Sequence, residues 1–133
     1  MSLYKKLFGQ EGEEIIVAYL KNLGFRIICQ NYKSRFGEID IIAQNDDVLA
    51  FIEVKSRKDS KVYLSDLISY SKQQKIIKTA MMYISQASFK GSLRNNYSHT
   101  VFRFDVALLH LVQNKVELNY LQNAFTARDF STL

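Results

Sequence analysis

A charged pattern inside two strand-like runs, residues 37–57, constrains this chain more than any other feature. The first run reads Gly37-Glu38-Ile39-Asp40-Ile41-Ile42 and the second Phe51-Ile52-Glu53-Val54-Lys55. Side chains alternate across a strand, so the pattern predicts Glu38 and Asp40 on one face and Ile39 and Ile41 on the other. In the second run Glu53 and Lys55 share a face, with Ile52 and Val54 opposite. Gln44-Asn45-Asp46-Asp47 between the runs is turn chemistry, which predicts an antiparallel hairpin. Both runs are apolar enough to be central strands, where an ionised group is costly unless it is paired or holds a metal. Two neighbouring strands thus aim an aspartate, a glutamate and a lysine towards one point. That is the arrangement expected of a divalent-metal phosphodiesterase.

The rest of the chain supplies a frame for such a hairpin. Ile16, Val17, Leu20 and Leu23 recur at helical spacing, and Gly24 ends that run as a C-cap. Glu13 continues the inward stripe, although a first-turn acid is also what the helix dipole favours. Residues 25–32 read as a strand with Phe25, Ile27 and Cys29 on one face, and Lys33-Ser34-Arg35 turns it into the acid-bearing run. Residues 57–70 hold no clear period, and a long loop beside a site is more often functional than idle. Ser71-Lys72-Gln73-Gln74 fits a capping box that opens a second helix carrying Ile76, Ile77, Ala80, Tyr83, Ile84 and Ala87. Lys72 and Gln73 then fall in its first turn, where free N–H groups attract a phosphate, while Lys75 and Lys78 read as solvated. Residues 100–111 form a long strand, a Gln113-Asn114-Lys115 turn follows, and Val116, Leu118 and Tyr120 alternate as an edge strand. Asp105, inside an apolar run, reads as a buried, hydrogen-bonded structural carboxylate. The order is helix, three antiparallel strands, helix, two strands: an α/β or α+β layered domain with helices covering a mixed sheet.

At 133 residues the chain suits one domain, residues 1–133, with a core of its own. Its one cysteine, Cys29, excludes an internal disulfide and reads as a packed thiol. No apolar run approaches a membrane span and no signal-peptide core opens the chain, so a cytoplasmic protein without membrane contact is expected. A net charge of +5 and a pI near 9.3 lean mildly towards polyanions. The placement of charge says more, because Lys55, Arg57, Lys58, Lys61, Lys72, Lys75 and Lys78 crowd a stretch whose acids after Lys55 are Asp59 and Asp66.

An aspartate in the second strand followed by Glu-x-Lys in the third resembles the PD-(D/E)XK nuclease superfamily. The match is closer still to the YraN-like family of small bacterial predicted endonucleases, relatives of archaeal Holliday-junction resolvases. The residues that carry it include Gly9, Gly12-Glu13-Glu14, Gly24, Asn31-Tyr32, residues 37–42, residues 51–57, Lys72-Gln73, residues 103–106 and Asn123-Ala124-Phe125. Ile39 stands where the superfamily has a proline, a departure the YraN-like family shares, and Leu64 stands where that family has a glycine.

The resemblance implies a restriction-endonuclease-like αβββαβ core with a mixed central sheet flanked by helices. It implies that Asp40 and Glu53, with the backbone carbonyl of Val54, hold Mg²⁺ or Mn²⁺, ions suited to hard oxygen ligands. Glu13 would complete that shell directly or through water, and Glu38 would act as a supporting acid or bind the ion itself. Lys55 would orient or help deprotonate the attacking water. Lys72 and Gln73 would hold a neighbouring phosphate, with Arg57, Lys33 and Arg35 as further nucleic-acid contacts. The expected function is a metal-dependent endonuclease on branched or single-stranded DNA, and a homodimer is expected by analogy, with the last strand's edge and Ala124-Phe125 as contact surfaces. The rival from another class is a nucleic-acid-binding accessory module with little or no cleavage, in which Tyr63, Tyr70 and Phe36 stack on strands. In a third reading Asp40, Glu53 and Lys55 form only a buried ion network, a poor stability device.

Overall fold

The computed structural model describes residues 10–58, 68–89 and 99–127. Helix α1 (Gln10–Asn22) leads into β1 (Arg26–Lys33), β2 (Glu38–Asn45) and β3 (Val48–Arg57), followed by α2 (Tyr70–Phe89), β4 (Val101–Val112) and β5 (Lys115–Phe125). The five strands form one sheet in sequential order. β1–β2, β2–β3 and β4–β5 pair antiparallel, whereas β3 and β4 are parallel. That parallel pair exists because α2 carries the chain back to the end from which β3 began, as a crossover must. The expected mixed sheet, covered by helices on both faces, is the architecture observed. Among the described residues no helix is long and apolar enough to cross a membrane.

The sheet divides the core in two. On one face Ile76, Ile77 and Ala80 of α2 pack with Ile42, Leu49, Phe51, Phe104, Val106, Leu108 and Phe125. On the other, Ile16 and Leu20 of α1 pack with Phe25, Ile41, Ala43, Ala50, Ile52, Ala107 and Leu109. Burial of both faces explains why the central strands are nearly continuous apolar runs.

Helix α1 stops at Gly24, whose φ of +97° lies in the left-handed region. Its N–H donates to the Lys21 carbonyl at 3.0 Å and the Phe25 N–H to the Leu20 carbonyl at 2.9 Å. That pair of bonds satisfies carbonyls the helix end would leave open, and the Leu20–Phe25 contact seals it. Leu23, expected in the apolar stripe, is instead 46% exposed, because the chain leaves the helix there. Helix α2 is capped by Ser69, whose hydroxyl accepts the Lys72 N–H at 3.2 Å, and not by the expected Ser71. Ile68, 1% exposed, anchors the chain there, and the cap falls two residues before the serine the pattern predicts.

Two departures from strict alternation shape the sheet. A register shift between Ile27 and Cys29 leaves Ile28 as an extra residue in β1. Cys29 therefore packs on the α2 face, opposite Phe25 and Ile27 rather than beside them. In β2, Ile39 joins the α2-face core while Ile41 joins the α1-face core, so the two do not share a face as the pattern predicts. The ladder to β3 begins only at Ile41↔Ile52, and upstream of it β2 is free to turn. Phe125, named as a contact surface, is 8% exposed and stacks on Phe104 with ring centroids 5.1 Å apart. It is core.

Asp105 is the buried structural carboxylate the sequence predicts. Completely buried, it accepts bonds from the Arg103 Nε at 2.9 Å, the Tyr120 hydroxyl at 2.6 Å and the Asn123 N–H at 2.8 Å. Arg103 is held above, and Tyr120 well above, its ordinary pKa, in each case against or with burial and through the bond to Asp105. The carboxylate thereby pins the irregular end of β5, where Asn123 adopts φ +53°.

Candidate active site

The two central acids meet where β2 leaves β3. Continuing the register one residue past Ile41↔Ile52 sets Asp40 opposite Glu53. There the ladder is replaced by a side chain: Asp40 Oδ2 accepts the Val54 N–H at 2.8 Å. Glu53 is 6% exposed and faces α2, with its Oε1 3.4 Å from Lys55 Nζ and 3.0 Å from Lys72 Nζ. Sequence spacing thus foresaw the company of Asp40, Glu53 and Lys55. What it missed is that Lys72 turns inward to Glu53 rather than standing only as an outer phosphate contact.

Glu13 reaches the same region from the first turn of α1, half-buried on the inward stripe. Asn31 connects it to β2. In the amide orientation that satisfies both neighbours, the Asn31 nitrogen donates to Glu38 Oε1 at 3.1 Å and to Glu13 Oε1 at 3.2 Å. Asn31 lies across from Asp40 by the β1–β2 register and adopts φ +55°. Sequence reasoning assigned it no role. The available signal was an asparagine inside a strand run, a residue disfavoured there but tolerant of the left-handed region.

The electrostatics are those of acids lacking enough counter-charge. Burial first, then the charge of Glu53, and more weakly Glu13 and Glu38, raise the Asp40 carboxyl to about 7 against the opposing Val54 bond. Burial holds the Lys55 ammonium below the ordinary lysine range, helped by Lys72 and opposed by Glu53. Burial also works against the Lys72 charge, but its bond and attraction to Glu53 prevail and its pKa is raised. The donor set suits a hard divalent cation in chemistry, since a buried carboxylate held near 7 gains most from added positive charge. Its present placement is less suited. Among the described residues no three such ligands stand close enough to hold an ion, and Glu53 Oε1 already carries two ammonium groups.

The remaining predicted contacts are dispersed. Gln73 is spent on the helix start, its Nε2 donating to the Ile68 carbonyl at 3.2 Å. Arg57 donates to the Ser56 carbonyl at 2.8 Å. Lys33 and Arg35 are exposed at the β1–β2 hairpin. Tyr63, Leu64 and most of the loop expected to serve the substrate lie outside the described residues.

Fold and site together define an α/β protein with an acidic, lysine-bearing cluster at the end of its central hairpin. The family described as Uncharacterised protein family UPF0102 matches residues 12–109, and the chain belongs to it. A UPF0102 protein of Clostridioides difficile is 39% identical over 118 residues, 88% of this chain and 95% of that protein. One from Alkaliphilus oremlandii is 38% identical over 90% of this chain and 98% of its own length. One from Persephonella marina is 36% identical over 92% and 97% respectively. The matched region includes Glu13, Asp40, Glu53, Lys55 and Lys72.

Proposed function

We propose that the protein is a metal-dependent endonuclease of the PD-(D/E)XK type, hydrolysing phosphodiester bonds of branched or single-stranded DNA. The observation that carries this reading is Asp40, raised to about 7 by burial and by its neighbours Glu53, Glu13 and Glu38, with Glu53 in turn 3.4 Å from Lys55, whose ammonium is weakened by burial. Perturbed titratable groups clustered with defined charge partners mark sites that do chemistry.

Asp40 and Glu53 would hold Mg²⁺ or Mn²⁺, with the Val54 carbonyl and Glu13 as further oxygen donors. A divalent cation bound there would polarise the phosphoryl oxygen and lower the pKa of a bound water. The Val54 N–H fixes Asp40 Oδ2 and so orients the carboxylate. Asn31 holds Glu13 and Glu38 in place from the side. Lys55, poised to lose a proton more readily than a free lysine, accepts one from the attacking water or stabilises charge on the phosphate. Lys72, more strongly protonated, stays cationic and neutralises Glu53 until a phosphate competes for it.

The test is cleavage of labelled single-stranded, duplex, flap and four-way-junction DNA, and RNA, with Mg²⁺, Mn²⁺ or chelator. Asp40→Ala and Lys55→Ala should each lower the metal-dependent rate by about 10²-fold or more. Activity that survives both substitutions would refute the reading. The second reading, a binding module that cuts little, is favoured by the two ammonium groups on Glu53 Oε1, which compete with a cation for that oxygen. Binding of every substrate without cutting would establish it.

A further inference from the structure

Beside the acidic cluster, the β1–β2 hairpin and α2 build a surface that the proposed chemistry does not use. The hairpin closes tightly, with the Ser34 N–H donating to the Gly37 carbonyl at 2.8 Å and the Phe36 N–H to the Ser34 hydroxyl at 3.0 Å. It is fastened to α2 through Thr79, completely buried, whose hydroxyl lies 2.9 Å from that of Ser34. A Cβ at Gly37 would stand 3.5 Å from the Lys75 Cβ, so helix and hairpin touch at that point. Arg35 and Phe36 are thereby held on a rigid support.

On it the Phe36 ring is half-exposed and approached by two cations, the Arg35 guanidinium 4.8 Å and the Lys78 Nζ 5.7 Å from its centroid. Arg35, Lys75 and Lys78 are exposed, and among the described residues none of them has an ion-pair partner. Unpaired cations around an aromatic ring have the chemistry of a strand-binding platform: the ring offers a face to a base, and the cations meet phosphates on either side. Lys72, Lys75 and Lys78 recur every three residues, so they climb α2 over a rise of about 9 Å. The row starts at Lys72 on Glu53, inside the acidic cluster.

We infer that Arg35, Phe36, Lys75 and Lys78 form a platform for an unpaired nucleic-acid strand, stacking one base on Phe36 and leading the strand past Lys72 to the acids. This rests on the nuclease reading for its direction, and narrows the substrate class to forms with an unpaired strand at the scission point. A duplex keeps its bases stacked inward and has no face to give Phe36.

Binding of a labelled oligothymidylate, a blunt duplex and a flap is measured by fluorescence anisotropy in chelator, with cleavage assayed in parallel. The full chain is compared with Phe36→Ala, Phe36→Trp and the double substitution Lys75→Ala/Lys78→Ala. Phe36→Ala should weaken single-strand binding about tenfold or more and leave the duplex unchanged, while Phe36→Trp retains binding. The double substitution should flatten the single-strand salt slope by about 1.4. Unchanged single-strand affinity in Phe36→Ala, or an equal loss on duplex, overturns the platform. If the unsubstituted chain cuts DNA but Phe36→Ala binds normally, only the platform falls. If the strand binds through Phe36 and is never cut, only the nuclease falls; neither binding nor cleavage at low salt removes both.

Discussion

Replacing Asp40 by asparagine should make the metal-free protein more stable at alkaline pH. The folded chain holds the Asp40 proton to about 7, against an ordinary value of 3.8. Between those values the folded state binds more protons than the unfolded one, so stability falls as pH rises from about 4 to about 7. A shift of roughly three units at ~1.36 kcal/mol each sets a ceiling of about 4 kcal/mol. Solvent screening of a half-buried carboxylate and relaxation of its neighbours reduce this, and a gain of about 1–3 kcal/mol is expected. Asp40→Asn keeps an oxygen to accept the Val54 N–H while removing the charge. In chelator at pH 8 its Tm should exceed that of the unsubstituted chain by about 5–10 °C. The gap should narrow as pH falls below about 7 and close at about pH 4, where the folded and the unfolded chain both hold the proton. Mg²⁺ should raise the Tm of the unsubstituted chain and not that of the variant. A variant less stable at pH 8 in chelator, or a gap constant between pH 5 and 8, would refute the reasoning and leave Asp40 a structural anchor.

Two further outcomes test the frame around the site. Asp105→Ala should destabilise the protein by about 3–5 kcal/mol in urea unfolding, since it strands the Arg103 guanidinium and leaves the Asn123 N–H without its acceptor; a loss under 1 kcal/mol would mean that β5 holds its bulge without the carboxylate. Gly24→Ala should lower stability by about 1 kcal/mol or slightly more through backbone strain alone, because its φ is +97° while the nearest atom to a new Cβ is Asn45 Nδ2 at 3.6 Å. Gly24→Asn, a residue tolerant of that region, should cost less in the same thermal melt.

Legibility in the sequence followed the range of the interaction involved. Alternation is a property of neighbouring residues, and it correctly joined Glu53 to Lys55 and set Asp40 across from them. It failed at Ile39 and Cys29, where one inserted residue or one missing ladder pair moves a side chain to the other face. The cap of α2 departs from the local pattern for a similar reason: Ser69 and Ser71 are both competent, and the burial of Ile68 decides between them. Phe125 reads as part of a contact surface, and only the return of β5 along β4 gives it Phe104 as a partner.

The sequence by itself determined the order of elements, the mixed sheet, the acid-bearing hairpin and the structural role of Asp105, because each rests on local periodicity or on a charge in an apolar run. Only the tertiary structure decided which residues from elsewhere in the chain join them. Lys72 joins Glu53, Asn31 joins Glu13 to Glu38, and Arg35 and Lys78 both lie over Phe36. The Lys72–Glu53, Asn31–Glu13 and Lys78–Phe36 contacts span distant parts of the chain. They form where the docking of a helix or a break in register brings those parts together, and local pattern carries no record of that.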